Sequence, residues 1–223
     1  SKVWDTFSGV CLHTFAHQHI VRSVAINSAG SRILTGGHEK KLRLFDLERP
    51  EAEPSLLRET SGGAETVHAG NVKSVIWERR AEEEVVSAAE DRTVKWWDLR
   101  SMTKSHEMTF AEPITSLERA LGVAGELLTV TSGKSVFFID AASRTVRKQH
   151  TLAQAPSSAS LHPTQADRFI TGATADGWVR IYDYESGAER ETHKGHHGPA
   201  HAVSYSPDGE LAASGSEDGE LFL

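Results

Sequence analysis

Short apolar runs, most of them aromatic, recur along the chain, and each closes on an aspartate. The steps between successive closing aspartates are 41, 52, 42 and 43 residues. Each interval holds two apolar segments with a turn between them, then a Gly- or Asp-bearing turn before the closing run. Short strands at this regular spacing predict an array of β-units. The closing runs are KVWD (Asp5), LRLFD (Asp46), VKWWD (Asp98), VFFID (Asp140) and VRIYD (Asp183).

Two tryptophans stand side by side in one of these runs. Trp96 and Trp97 directly precede Asp98. Neighbouring side chains of a strand point to opposite faces of the sheet, so both faces of this strand must be covered if both indoles are buried. The pair therefore predicts sheets stacked face to face.

Two further residue types keep the register of the repeat. One is a histidine seven residues ahead of a valine, and the other is an acidic residue seven residues before the closing aspartate. In the last repeat the closing aspartate would fall beyond Leu223. The histidines are His17, His68 and His196, and the acidic residues are Glu39, Asp91, Asp176 and Asp218.

Histidine, turn acid and terminal Trp-Asp, repeated at about 40–45 residues, resemble the WD-repeat family over nearly the whole chain. The resemblance implies an all-β fold, a WD-repeat β-propeller with four-stranded antiparallel blades that forms a partial seven-bladed ring. A smaller ring, in which VCLHTF completes the last blade, is the alternative. The single propeller domain, 1–223, would hold a partial blade 1–15, complete blades at about 16–58, 67–110, 111–150 and 151–193, and a partial last blade 194–223.

In the family a His, a Ser or Thr, the turn Asp and the Trp form a hydrogen-bonded chain. A set of Ser, His and Asp also suggests a hydrolase, but a nucleophile needs an exposed hydroxyl at an oxyanion site, and this serine is expected inside a blade. We therefore expect no enzyme. The implied structural network comprises His68, Ser87, Asp91 and Trp97, with His196, Ser214 and Asp218 in the last repeat. The other repeats depart from the pattern, with Thr35, Glu39 and Phe45 in one, Gly133 in the next, and Gly172 and Tyr182 in a third.

Composition narrows the function. Lys and Arg total 24 against 31 Asp and Glu, a formal net charge of −7, so we expect no direct nucleic-acid binding. No apolar stretch approaches the roughly 20 residues of a membrane helix, so no membrane partner is expected. The single cysteine, Cys11, fits a reducing compartment, the cytoplasm and also the nucleus. A zinc site at the histidines near His196 would need convergent geometry and usually a further ligand, so we expect one structural histidine with exposed neighbours, and neither metal nor cofactor.

In the family, the position just before the turn acid is displayed on the narrower face of the ring. The residues at this position here are chemically mixed, which suits a protein groove better than a nucleic-acid track with clustered Arg and aromatic residues. Trp178, at the start of a third strand, either joins this face or packs against an adjacent blade, and packing is favoured. The candidate protein-binding residues are His38, Glu90, Ser132, Ala175, Glu217 and Trp178.

Three stretches resemble one group of WD-repeat adaptors more closely. They are LTGGHEKKLRLFDLERPEAEP, SASLHP and KGHHGPAHAVSYSPDGELAASGSEDG. The resemblance implies a non-catalytic protein-binding scaffold whose partners are subunits of ribonucleoprotein-assembly or signalling complexes. These are the survival-of-motor-neuron complex of mRNA splicing, the RNA-binding protein unr, and transforming growth factor β receptor signalling.

Two other functions stay open. The tetrapeptide WDLR, residues 97–100, resembles the Trp-Asp-x-Arg element of substrate receptors of cullin-RING ubiquitin ligases. A propeller subunit of a translation initiation factor is the other alternative. Because Trp-Asp is common throughout the family, Arg100 alone separates the first of these from an ordinary repeat.

Overall fold

In the computed structural model the described residues are 1–60, 63–78, 82–119, 122 and 126–222. This part of the chain is assigned 21 β-strands. They are β1 (Lys2–Trp4), β2 (Cys11–Thr14), β3 (Val21–Ile26), β4 (Arg32–Gly37), β5 (Leu42–Asp46), β6 (Ser55–Leu56), β7 (Val72–Trp77), β8 (Glu84–Ala89), β9 (Thr93–Asp98), β10 (Thr103–Thr109), β11 (Ile114–Arg119), β12 (Leu127–Ser132), β13 (Ser135–Asp140), β14 (Thr145–Thr151), β15 (Pro156–Leu161), β16 (Arg168–Ala173), β17 (Val179–Asp183), β18 (Glu189–His193), β19 (Ala200–Tyr205), β20 (Ala212–Ser216) and β21 (Leu221–Phe222).

The strands pair in chain order into small antiparallel sheets, which we call blades. The chain divides into two compact units, Ser1–Thr109 and Phe110–Leu223. Unit 1 holds the β1–β2 pair, blade 1 (β3–β6) and blade 2 (β7–β10). Unit 2 holds blade 3 (β11–β14), blade 4 (β15–β18) and the three-stranded blade 5 (β19–β21). The predicted all-β fold of four-stranded antiparallel blades is confirmed.

The predicted blade limits can be set beside these sheets. The strands of each four-stranded sheet lie within the limits of one predicted blade, except that β14 ends at Thr151, one residue beyond the predicted limit of 150. Cys11–Thr14, part of VCLHTF, pairs with Lys2–Trp4. Residues 79–81, 120, 121, 123–125 and 223 of the predicted blades lie outside the described residues. In the described part of the chain, no helix has the length and apolarity needed to cross a membrane.

The second strand of each four-stranded blade is buried without interruption. Strands β4, β8, β12 and β16 share one pattern, a half-buried first residue followed by five buried ones. A strand with one solvated face would alternate between buried and exposed positions, so continuous burial requires cover on both faces.

The turn between the second and third strands has the same backbone conformation in blades 2 and 4. Arg92 in blade 2 and Gly177 in blade 4 both have a φ of 69°.

Both tryptophans of the closing run in blade 2 are fully buried, at 0% exposure. Trp97 belongs to an apolar cluster of unit 1 with Leu34 and Leu42 from blade 1. The ring of Trp96 lies 5.2 Å from that of His106 on β10. Burying an indole on each side of one strand stabilises the fold by roughly 25 cal/mol per Å² of apolar surface removed from water.

Unit 2 has its own core between blades 3 and 4. Phe138 and Phe169 are fully buried, with ring centroids 5.2 Å apart in an edge-to-face arrangement. Tyr182 stacks on Phe169 at 5.3 Å, and Tyr184 meets the edge of Phe138 at 4.8 Å. Aromatic packing of this kind holds blades that lack a complete polar network.

Candidate functional site

A line of hydrogen bonds runs through the interior of blade 2. The indole Nε1 of Trp97 donates to Ser87 Oγ at 2.8 Å. Ser87 Oγ lies 2.7 Å from His68 Nε2, and His68 Nδ1 lies 2.9 Å from Asp91 Oδ2. The structure thus brings together the four residues that the family resemblance assigned to one network. We call these four residues the polar line.

The directions of the donors fix the state of His68. The indole N–H can only donate, so Ser87 accepts from Trp97 and donates its own proton to His68 Nε2, which leaves Nδ1–H to donate to Asp91. This assigns a neutral imidazole. Protonation of Nε2 would direct two N–H donors at the single oxygen of Ser87. Burial lowers the pKa of His68, and the nearby Asp91 carboxylate offsets only part of that effect.

Asp91 closes the line at the turn between β8 and β9. Its carboxylate also accepts the backbone N–H of Ala69 at 2.9 Å and the Thr93 hydroxyl at 2.7 Å. Burial alone would raise the pKa of Asp91, but hydrogen bonds from His68, Thr93 and the Ala69 amide hold it well below its usual range. The carboxylate therefore fixes the entering loop, the turn and the third strand to one another.

Blade 5 contains the His, Ser and Asp members of an equivalent network. His196 Nε2 lies 2.9 Å from Ser214 Oγ, and His196 Nδ1 lies 3.2 Å from Asp218 Oδ2. Asp218 also accepts the backbone N–H of His197 at 2.8 Å, as Asp91 accepts that of Ala69. The ring of Phe222 packs edge-on against His196 at 4.7 Å.

The arrangement does not display a nucleophile. Ser87 is 0% exposed, and its hydroxyl accepts from Trp97 and donates to His68 within the blade. A substrate carbonyl would have to enter the packed interior to reach the hydroxyl. What this geometry can do is hold a blade together.

Two of the repeats that depart from the pattern, blades 1 and 4, use ion pairs instead. In blade 1 Glu39 pairs with Arg43, and its carboxylate lies 3.8 Å from His17 Nδ1. In blade 4 Asp176 pairs with Arg180. Both cations lie three residues before the closing aspartate, as does Lys95 of blade 2. Our sequence analysis missed this position, although its regular spacing was a usable signal.

The candidate binding positions of unit 1 lie just before the turn acids, at the edge of blades 1 and 2. There Arg22 Nε donates to His38 Nε2 at 3.1 Å. Lys73 Nζ lies 2.7 Å from Glu90 Oε1, which lowers the pKa of Glu90. Asn71 donates to the other oxygen of Glu90 at 2.8 Å. We call this set (Arg22, His38, Asn71, Lys73 and Glu90) the turn edge of unit 1.

The equivalent positions of unit 2 differ from one another. Glu217 is exposed and accepts from His201 at 2.8 Å. Ala175 is exposed but offers only a methyl group. Ser132 is 4% exposed and donates its hydroxyl to the backbone carbonyl of Glu112 at 2.7 Å, so it presents little side chain to a partner.

Sequence reasoning also missed the partners Arg22, Lys73 and His201. Each follows the first residue of the first strand of its blade, which we call the inner strand. At this point the pairing with the second strand shifts register. A residue at such a bulge is turned away from the alternation of its strand. The signal in the sequence is a polar residue directly after the first apolar residue of the strand.

Trp178 is half-buried in unit 2. Lys194 Nζ lies 3.9 Å from the centroid of its ring, and the Arg180 guanidinium lies 5.1 Å away. Two cations on one indole satisfy its negative faces within the unit.

The histidines around His196 do not converge on one point. His193 pairs with Glu191, and His201 pairs with Glu217. Over the described ranges, no three His, Cys, Asp or Glu residues group to hold a metal ion.

Comparison with known proteins agrees with these features. The family model described as WD domain, G-beta repeat matches residues 9–46 and 187–223. A crystal structure of the mitotic checkpoint complex contains a chain that resembles this one with a TM-score of 0.81 over 99% of this chain and 66% of that chain, at 19% identity. That likeness shows the fold. The blades and repeats thus define a WD-repeat protein with the β-propeller fold.

Relatives of known name narrow the family. The serine-threonine kinase receptor-associated protein of Dictyostelium discoideum is 39% identical over 222 residues, which cover 100% of this chain and 71% of that relative. The human protein of the same name is 42% identical over 223 residues, and the chain spans 60% of its length. The chain belongs to the family of serine-threonine kinase receptor-associated proteins.

Proposed function

We propose that the chain is a non-catalytic adaptor that binds other proteins through the turn edge of unit 1. The observation that carries this proposal is the contrast between two polar sets in blade 2. The polar line is almost entirely buried and internally satisfied, whereas the side chains of Lys73 and Glu90 remain 24% and 37% exposed, a few residues from it in sequence. Charged groups on a rigid support are what a protein partner can contact.

The pairs of the turn edge are weak enough to exchange. A solvent-exposed ion pair contributes about 0–1 kcal/mol to stability, so a partner can replace the pairing of Lys73 with Glu90 at little cost. The side chains are held in place by the strands behind them, and the entropy lost on binding is therefore small. Rigid blades that present charged turns suit a docking surface.

The names of the relatives indicate the first partner to test, a serine-threonine kinase receptor. The resemblance of the sequence adds subunits of the survival-of-motor-neuron complex, and with them mRNA splicing, and the RNA-binding protein unr. Partners of these kinds lie in the cytoplasm and the nucleus, and we propose the same compartments for the chain. We propose protein surfaces rather than nucleic acid as the ligand, since the formal net charge is −7.

Charge reversal on the turn edge tests the proposal. The double variant Lys73→Glu with Glu90→Lys keeps an ion pair within the chain but inverts the charges that a partner meets. We expect its capture of the receptor's cytoplasmic kinase domain, or of ribonucleoprotein-assembly subunits, to weaken by about tenfold or more, as for loss of a charged contact. The matched control is Arg49→Glu, which reverses an exposed charge beyond the opposite end of β5.

The capture and turnover results each support or contradict the proposal. Weaker capture by the double variant, with capture by the Arg49→Glu control unchanged, supports the turn edge as the binding surface. Equal capture by both variants and the parent chain contradicts it. Turnover of ester, peptide or phosphoester substrates that is lost with Ser87→Ala in a folded chain would contradict a non-catalytic role.

One observation favours a second candidate, the substrate receptor of a cullin-RING ubiquitin ligase. Arg100 is exposed two residues after the closing run, and its backbone N–H donates to Asp98 Oδ1 at 2.9 Å. Co-purification with the ligase adaptor, lost on Arg100→Ala, would establish this candidate. Association with initiation-factor subunits in the same purification would instead support the third candidate, a propeller subunit of a translation initiation factor.

A further inference from the structure

Unit 2 contains a cavity of about 200 Å³ that the turn-edge proposal does not use. It is lined by the last residues of the inner strands β11, β15 and β19 and by the loops after β15 and β19. The candidate positions Ser132, Ala175 and Glu217 lie near the other ends of these strands, because Ile114, Pro156 and Ala200 at the strand starts pair with β12, β16 and β20. The cavity is thus a second, separate feature.

Glu118 of β11 faces this cavity. Its Oε1 accepts a hydrogen bond from Ser204 Oγ on β19 at 2.7 Å. Its Oε2 is buried and has no hydrogen-bond partner. Within the described ranges no Lys, Arg or His forms an ion pair with this carboxyl group, although Arg119 also lines the cavity.

The surroundings of Glu118 are polar and fixed. Ser160, at the equivalent position of β15, is 1% exposed, and its Oγ accepts the Tyr205 backbone N–H at 3.2 Å. Burial raises the pKa of Glu118, and the hydroxyls of Ser204 and Ser160 offset only part of that rise. A buried carboxylate without a cation is unfavourable, and it is stabilised by any cation that can reach it.

The size of the cavity fits an organic cation. About 200 Å³ is far above the roughly 10–15 Å³ that one water molecule needs. The free Oε2 and the hydroxyls of Ser160 and Ser204 are acceptors for several N–H donors. The formal net charge of −7 also favours the approach of cations over anions.

We propose that this cavity binds a primary ammonium or guanidinium group, with Glu118 as its counter-ion. On binding, the Glu118 side chain turns its buried Oε2 into the cavity to accept one N–H of the cation, and the serine hydroxyls complete the shell of acceptors. The group arrives either as a free small cation or as the side chain of a Lys or Arg residue of a partner. The site is independent of the turn edge, so either proposal can fail alone.

The test uses the full chain labelled with ¹³C at the glutamate side-chain carboxyl. The Glu118 resonance is assigned by its loss in Glu118→Gln, and it is followed at constant pH and ionic strength. The probes are methylammonium chloride, methylguanidinium chloride, and short capped peptides with one Lys or one Arg. Tetramethylammonium chloride, which has the charge but no N–H donor, is the control cation.

We expect a saturable shift of the Glu118 resonance with methylammonium or methylguanidinium, and none with tetramethylammonium. Binding by the peptides as well identifies a partner's side chain as the source, and binding by the small cations alone identifies a free cation. Calorimetric affinity for the best probe should fall by about tenfold or more in Glu118→Gln. Glu185→Gln, at the exposed turn after β17, should leave that affinity unchanged.

Two results overturn the proposal. One is the absence of a saturable Glu118 shift with every N–H cation, and the other is an equal shift with tetramethylammonium. If Glu118→Gln does not fold, Glu118→Asp serves instead, because it withdraws the charge by one methylene. The proposal then predicts a loss of affinity with Glu118→Asp, and unchanged affinity contradicts it.

Discussion

Blades 2 and 3 solve the same packing problem with opposite chemistry. Blade 2 buries the polar line of Trp97, Ser87, His68 and Asp91. Counted from the closing aspartate, blade 3 has Ile139 where blade 2 has Trp97, and by strand pairing it has Val130 where blade 2 has Ser87. Its turn holds Gly133, and no histidine lies in the loop between β10 and β11.

The difference between these two blades indicates that a fully apolar set can take the place of the polar line. Val130 and Ile139 are 0% exposed, just as Ser87 and Trp97 are. Replacing all partners of a buried hydrogen-bonded set by apolar groups is nearly neutral, whereas removal of one partner leaves the others unsatisfied. Single substitutions in blade 2 should therefore act through orphaned polar groups, and those in blade 3 through cavities.

The largest effect is expected in blade 3, from Phe138→Ala. Phe138 is fully buried against Phe169 and Tyr184, so its loss leaves a large cavity and should lower the free energy of unfolding by about 3–5 kcal/mol. Urea denaturation measures the change. Lys134→Ala, on the exposed turn of the same blade, is the control and should change stability by less than about 0.5 kcal/mol. Equal effects of the two would contradict a packed core in blade 3.

In blade 2, Asp91→Ala should follow with a loss of about 2–3 kcal/mol. It leaves His68 Nδ1 and the Ala69 amide without their acceptor. Asp98→Ala in the same blade is the matched control, since Asp98 accepts the N–H of Arg100 at a less buried position, and its loss should stay below about 1 kcal/mol. A small effect of Asp91→Ala would show that the line does not stabilise the blade.

Trp97→Phe sharpens the comparison at a smaller scale, with an expected loss of about 1–2 kcal/mol. Phenylalanine fills part of the indole volume but cannot donate to Ser87. Ile139→Val, at the corresponding position of blade 3, removes one methyl group and no hydrogen bond. Both variants are compared by urea denaturation. A loss of stability in Ile139→Val with none in Trp97→Phe would contradict a polar network in blade 2 and apolar packing in blade 3.

The smallest effect is the dependence of stability on pH. Burial lowers the pKa of His68 in the folded chain, whereas in the unfolded chain it is about 6.5. The unfolded state therefore binds more protons as the pH falls through that value, and stability decreases. Asp91 has a lowered pKa, so its contribution remains until the pH falls below about 4.

The urea midpoint at about pH 7.5 and about pH 5.5 measures this dependence. Burial also lowers the pKa of His17 and His162, so His68→Gln should reduce the loss on acidification without abolishing it. An unchanged slope in a folded His68→Gln chain would mean that His68 is not held neutral.

The sequence could predict the blades and the residues of the polar line because both depend on spacing along the chain. His68 and Asp91 are set at fixed distances from the strands they join, and the adjacent Trp96 and Trp97 require cover on both faces. The register shift that turns Lys73 towards Glu90 depends on strand pairing, which spacing alone does not give.

Contacts between blades were beyond sequence reasoning. Glu118 meets Ser204, 86 residues later, because both occupy equivalent positions of inner strands. Ser132 is buried because its hydroxyl reaches the carbonyl of Glu112, which the position before the turn does not reveal. Such features depend on three-dimensional packing rather than on the repeat.

The cooperativity of the polar line is tested most directly by a double-mutant cycle of Ser87→Ala and Asp91→Ala, measured by urea denaturation. The two side chains are joined only through His68, which bonds to both. If the line acts as a unit, the combined loss of stability will be smaller than the sum of the single losses by about 1 kcal/mol. Losses that add within about 0.3 kcal/mol would contradict it.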